Sequence, residues 1–255
     1  MRRVSHDALK RHLDESLARL DRADPYYFAE RLPNAQQWRL FPDFRHRVAY
    51  LDIETTGLSG DFDEVTTIAI YDGQAIHTYI QGENLERFPK DIRHYDVLVT
   101  YNGKCFDVPF LEAFFRMKLP QVHLDLRYIL KRLGFTGGLK GCERKLGLHR
   151  GALEGVDGFM AVLLWGEYKN EASARALDTL LCYNVQDVLS LEVLLVKAFN
   201  LLVGATPFAR ECTLEVPVQP ENPFPADVKI VRRLMKRVPW HYEDETRPSG
   251  FGRAL

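Results

Sequence analysis

No apolar run in the 255 residues approaches the roughly 18 needed to cross a bilayer, and the opening segment through Tyr27 lacks the apolar centre of a secretory signal. The expectation is a cytoplasmic protein without a membrane partner. Cysteine is scarce: Cys105, Cys142, Cys182 and Cys212 stand far apart with no CxxC pair, which argues against a structural zinc site or a disulfide framework and for reduced thiols. Internal repeats and low-complexity tracts are missing, which excludes solenoids. An excess of one charge sign is missing too. The formal net charge is −1, so the strongly basic total usual for a nucleic-acid binder is absent.

What is present suits a globular chain. With 46% hydrophobic and 27% charged residues it can bury a full core as one large domain, alone or with extensions. Charge is unevenly spread. From Arg127 to Arg150 there are seven Lys or Arg against one acid, Glu143, and from Val228 to Tyr242 there are five and no acid. Basic surface can thus coexist with an acidic pocket, although solvated helix faces explain each stretch equally well.

Hydrophobic patterning divides the chain. Leu9, Leu13, Leu17 and Leu20 recur at helical spacing within residues 1–47, which read as a helical N-terminal extension. Three β-rich runs follow, "VAYLDIET", "EVTTIAIYD" and "AIHTYIQG", with Asp72-Gly73 as a hairpin signal between the last two. They predict three sequential antiparallel strands. A helix over residues 84–95, a buried strand in "DVLVTYNG" and a helix from Asp107 to Lys118 come next. After Pro120 the pattern is mostly helical, ending in a long helix from Glu171 to Leu202. Residues 203–255 read as a C-terminal extension, with prolines that break regular structure before one basic helix. Strands first, then alternation, then helices predict an α/β fold with a mixed sheet, residues 48–202 forming the main domain.

Within the first strand, Asp52 and Glu54 are two residues apart and project from one face, while Leu51 and Ile53 face the other way. Two buried carboxylates repel and raise each other's pKa, so a divalent cation is the economical explanation; an exposed strand end beside Thr55 and Thr56 is the plain alternative. Asp107 follows a buried strand and a loop bearing Asn102, where it also suits a helix N-cap. Tyr183 and Asp187 share one face of the long helix, among Leu180, Val188, Leu191, Leu194 and Leu195. An inward Asp187 is costly there without a partner. Each acid alone has an ordinary structural use, but the conjunction is unusual.

Together these segments resemble the DEDD exonucleases of the ribonuclease-H-like superfamily, in which four acids from three motifs hold two divalent cations. Asp52-Ile53-Glu54 with Thr55-Thr56-Gly57 looks like the first motif, Asn102 with Phe106-Asp107 the second, and Tyr183-xxx-Asp187 the third. A tyrosine four residues before the last Asp, with Cys182 where the other branch has histidine, points to the tyrosine (DEDDy) branch. "LKGCERKLGLHRG" and "VDGFMAVLLWGEY" are similar to YprB-type ribonuclease-H-like proteins.

The resemblance implies a ribonuclease-H-like fold and a metal-dependent 3′→5′ exonuclease of single-stranded DNA or RNA, using two Mg²⁺ or Mn²⁺ ions. It implies that Asp52 bridges the ions, that Glu54 and Asp187 complete one site, that Asp107 holds the second ion and that Tyr183 orients the attacking water. It further places the 3′-terminal nucleotide against Thr55, Thr56, Gly57, Leu58, Asn102 and Phe106, with Lys140, Arg144 and Lys145 on the phosphate backbone. Phosphodiester hydrolysis builds charge on attacking and leaving oxygens, and two cations about 3.5–4 Å apart stabilise both. Three other readings stand beside it: a structure-specific endonuclease, a nucleic-acid-binding module with little turnover, and a glycosidase, which needs an acid–base pair and not a four-acid cluster.

Overall fold

The computed structural model describes residues 6–57 and 63–236. Helices α1 (His6–Asp21), α2 (Pro25–Arg31) and the short α3 (Phe41–Phe44) precede strand β1 (Val48–Thr55). Strands β2 (Val65–Tyr71) and β3 (Ile76–Ile80) follow, then the short α4 (Phe88–Asp91), β4 (Val97–Thr100), α5 (Asp107–Phe115) and β5 (Val122–Asp125). The rest is helical: α6 (Leu126–Arg132), α7 (Gly138–Lys145), α8 (Gly158–Glu171), α9 (Ala174–Gly204), the short α10 (Ala209–Cys212) and α11 (Val228–Met235).

The expected mixed sheet forms, with strand order β3-β2-β1-β4-β5. β1 and β2 pair antiparallel, as do β2 and β3, while β4 runs parallel to both β1 and β5. At the turn between β2 and β3, Gly73 takes φ +90°, and the Asp72 side chain accepts hydrogen bonds from the Gln74 and Ala75 amides. Only a residue without Cβ strain occupies such a φ cheaply.

Alternation along β1 sorts its side chains between two cores. Ala49, Leu51 and Ile53 pack with Phe88, Ile92 and Leu111 on one face, whereas Val48 and Tyr50 pack with Val188, Leu191 and Leu195 of α9 on the other. Asp52 and Glu54 therefore face α9. That helix has 31 residues, a length of about 46 Å. Ser173 caps it by accepting from the Ala176 amide, and every residue from Thr179 to Val196 is buried.

Two local expectations change. The helix expected over residues 84–95 is instead a 3₁₀ turn at Leu85–Arg87, α4, and another 3₁₀ turn at Ile92–His94. Pro89 is tolerated only in a first turn, so α4 starts there and cannot extend back. Residues 122–125, within the stretch taken as mostly helical, form β5. Four residues carry too little period to announce a strand, and pairing with β4 decides the matter.

Candidate metal centre

Asp52 and Glu54 lie on β1 opposite Ala69 and Thr67 of β2, just before a bulge between Glu54 and Thr55. Asp187 reaches the same point from α9. One carboxylate oxygen from each of Asp52, Glu54 and Asp187 lies within 4.8 Å of the others. Asp52 is partly exposed, and Glu54 and Asp187 are buried. Asn184, one turn before Asp187, donates to Asp52 Oδ2 at 2.7 Å and accepts from the Thr67 hydroxyl at 3.1 Å.

Asp107 sits at the start of α5, buried, and stands outside that three-carboxylate group. The backbone N–H groups of Asp107 itself and of Ile53 favour the charged form of the Asp107 carboxyl.

Burial and the proximity of like charges, only partly offset by Arg150 and Lys140, show in the titration of these groups. Burial, then the charges of Asp187, Glu54 and Asp107, push Asp52 well above the usual carboxylate range, against the Asn184 hydrogen bond. Burial and Asp187 push Glu54 up in the same way, opposed by Lys140 and Arg150. Burial raises Asp187 although Arg150 and Lys140 favour its charged form. Asp107 is raised to about 7, by burial foremost. Tyr183 is buried beside them, and desolvation followed by the Asp187 and Glu54 charges holds its hydroxyl protonated.

These residues fit a hard divalent cation. The donor set is all carboxylate oxygen, and three of its oxygens lie close enough together to share one ion.

Around the acids, the other sequence candidates have distinct placements. The Thr55 hydroxyl donates to the Gly57 carbonyl at 2.5 Å, and the Thr56 hydroxyl accepts from the Glu64 amide at 2.9 Å. At Gly57 a Cβ would stand 2.5 Å from Asp63 Oδ1, so a larger residue there requires the Asp63 side chain to move. Leu58 lies outside the described residues. Asn102 takes φ +70°, and its amide donates to Asp125 Oδ1 at 2.8 Å. Phe106 packs half-buried on the core beneath the sheet, 5.7 Å from the Phe110 ring. Lys140 is turned inward, donating to the Val156 carbonyl with its amine 5.0 Å from the Tyr183 ring centre. Arg144 is exposed and 3.9 Å from Glu154, and Lys145 donates to the Thr136 carbonyl.

Four further residues were not singled out in the sequence as site components. Arg150, counted in a basic stretch, is buried against Asp187 at 2.5 Å and paired with Glu143. Asn184 holds Asp52, and Asp125 holds the loop before Asp107. The available signal for Asn184 was a polar residue among apolar helical neighbours, whereas Glu143 stands among Lys140, Arg144 and Lys145 and gave none.

A family model described as RNase_H superfamily matches residues 49–199. Among solved structures, a family B DNA polymerase from the hyperthermophilic archaeon Pyrobaculum calidifontis is similar, with a TM-score of 0.49 and 18% identity. The match covers 66% of this chain and 27% of the polymerase, so this chain spans about a quarter of that protein's length. No curated protein matches the sequence.

Proposed function

This chain belongs to the RNase_H superfamily, and from that premise we propose that it is a metal-dependent 3′→5′ exonuclease of the DEDD type, tyrosine branch, close to the YprB-type proteins. It hydrolyses phosphodiester bonds at the 3′ end of single-stranded DNA or RNA in the cytoplasm. The observation that carries the reading is the convergence of Asp52, Glu54 and Asp187 within 4.8 Å, with Tyr183 in the same charge field.

Asp52, Glu54, Asp107 and Asp187 hold two divalent cations, Mg²⁺ or Mn²⁺, which supply Lewis-acid stabilisation of the attacking and leaving oxygens. The chain's own residues do the rest. Asn184 fixes the Asp52 carboxyl, and the Ile53 amide fixes that of Asp107. Tyr183, kept protonated by its surroundings, serves as a hydrogen-bond donor and acceptor that orients water, not as a bulk base. Thr55, Thr56, Gly57, Leu58, Asn102 and Phe106 receive the terminal nucleotide. Arg144 is exposed to meet a backbone phosphate, whereas Lys140 first has to release the Val156 carbonyl.

Single-stranded DNA and RNA labelled at the 5′ end and incubated with Mg²⁺ or Mn²⁺ test the reading. A ladder shortened from the 3′ end is expected. Asp52→Ala and Asp187→Ala are expected to lower its rate by about a thousandfold or more, and Tyr183→Phe to slow turnover while leaving oligonucleotide affinity within about twofold. Activity that survives Asp52→Ala, or that a chelator leaves intact, refutes the metal mechanism. Cuts within a circular strand indicate an endonuclease, and binding without cleavage a non-catalytic module.

A further inference from the structure

Glu143 and Arg150 form an ion pair that the nuclease reading leaves without a task. Their side chains are 2% and 4% exposed. Arg150 Nε and Nη2 lie 2.5 and 2.8 Å from the two Glu143 oxygens, a two-pronged contact that fixes the guanidinium plane. The remaining nitrogen, Nη1, is thereby held 2.5 Å from Asp187 Oδ1. This second contact is an ion pair between two buried side chains. Glu143 thus positions Arg150, and Asp187 receives the consequence.

A guanidinium keeps its charge at any working pH. Any cation that takes Asp187 does so beside a fixed positive charge. The anionic group that offsets this charge is the phosphodiester itself, whose oxygens pair with a guanidinium and also serve as hard cation ligands. Resting on the nuclease reading, we propose that Arg150, held by Glu143, is a positioning residue that weakens divalent-cation binding at Asp187 in the free protein, so that the cluster fills completely only together with the nucleic-acid phosphate. Lys140 adds a second positive charge nearby, but its amine is tied to the Val156 carbonyl and is not aimed by Glu143.

The experiment is a Mn²⁺ titration of the intact chain, read from the electron-paramagnetic-resonance signal of free Mn²⁺. It is run with and without a single-stranded oligonucleotide whose 3′-terminal linkages are phosphorothioate. Replacing Arg150 alone strands a buried Glu143, so the decisive variant is E143Q/R150Q, with circular dichroism as the check on folding. R150K serves as a second variant that keeps the positive charge.

Without oligonucleotide, E143Q/R150Q is expected to bind Mn²⁺ about tenfold tighter than the parent or more, because a unit charge a few ångströms away is weakly screened in a buried site. The gain on adding oligonucleotide is expected to shrink in the same variant, and R150K to stay near the parent. Equal or weaker Mn²⁺ binding by folded E143Q/R150Q, or tightening in R150K, overturns this inference and leaves the nuclease reading standing. A parent chain that binds no Mn²⁺ even with oligonucleotide overturns both.

Discussion

Asp107 illustrates how far its surroundings displace one carboxyl. Burial drives its pKa from 3.8 to about 7, although two backbone N–H groups favour the charged form. A folded pKa above the unfolded value means that the folded chain binds the proton more tightly, so the stability it contributes is complete below about pH 4 and is lost as pH rises through about 7. Asp52, Glu54 and Asp187 shift in the same direction. In chelator, the melting temperature is therefore expected to fall between pH 5 and pH 8 by on the order of 5 °C, with a shallower fall in Asp107→Asn. Thermal scans at several pH values check this, and a flat profile contradicts the placement of Asp107. Saturating Mn²⁺ at pH 8 is expected to restore the lost stability, since a ligand that binds only the folded state stabilises it. These residues were legible as a set because motif spacing fixes which acids share a strand or helix face. Arg150 was not, because nothing local distinguishes an inward arginine from an outward one.

At the scale of elements, Asp125 joins β5, the loop before α5 and the start of α6. Its two oxygens accept from the Asn102 amide at 2.8 Å, the Lys104 amide at 3.0 Å and the Arg127 amide at 3.0 Å. Gly103 completes the loop, since a Cβ there would stand 2.3 Å from the Thr100 hydroxyl. Asp125→Ala leaves three amides without their acceptor and is expected to lower the unfolding free energy by about 2–4 kcal/mol, read from urea titration. An unchanged midpoint would mean that other contacts hold the loop. The second-motif loop was visible in the sequence through Asn102 and Asp107. Its support was not, because β5 is too short to declare itself without β4 beside it.

Across the whole molecule, helix α1 and the C-terminal segment behave differently, while Trp38, Leu40, Phe41 and Phe44 between α1 and β1 are buried in the core. α1 buries no residue, and Leu9, Leu13 and Leu17 are more than half exposed, so its periodic stripe does not join the core. The C-terminal segment instead lies along α9: Asn200 exchanges hydrogen bonds with Leu214, Asn222 donates to the Cys182 carbonyl, and the Asp227 amide donates to the Thr179 hydroxyl. Asp227 also caps α11, whose Ile230, Val231 and Leu234 pack in the cluster that contains Tyr183. Leu234→Ala is expected to cost about 2–4 kcal/mol in a denaturant titration, as a core truncation does. A loss below about 0.5 kcal/mol, the size of an ordinary surface change, would mark the segment as a loose appendage.

The sequence by itself determined the mixed α/β sheet, the shared face of Asp52 and Glu54, and the shared face of Tyr183 and Asp187. Residue periods of 2 and 3.6 are local properties, and they carry this information without contacts. Only the tertiary structure decided that Asp187 meets Asp52 and Glu54, that Asp107 is buried and that Arg150 turns inward toward Asp187. Those outcomes depend on burial and on charges brought together from distant parts of the chain, and no local pattern encodes them.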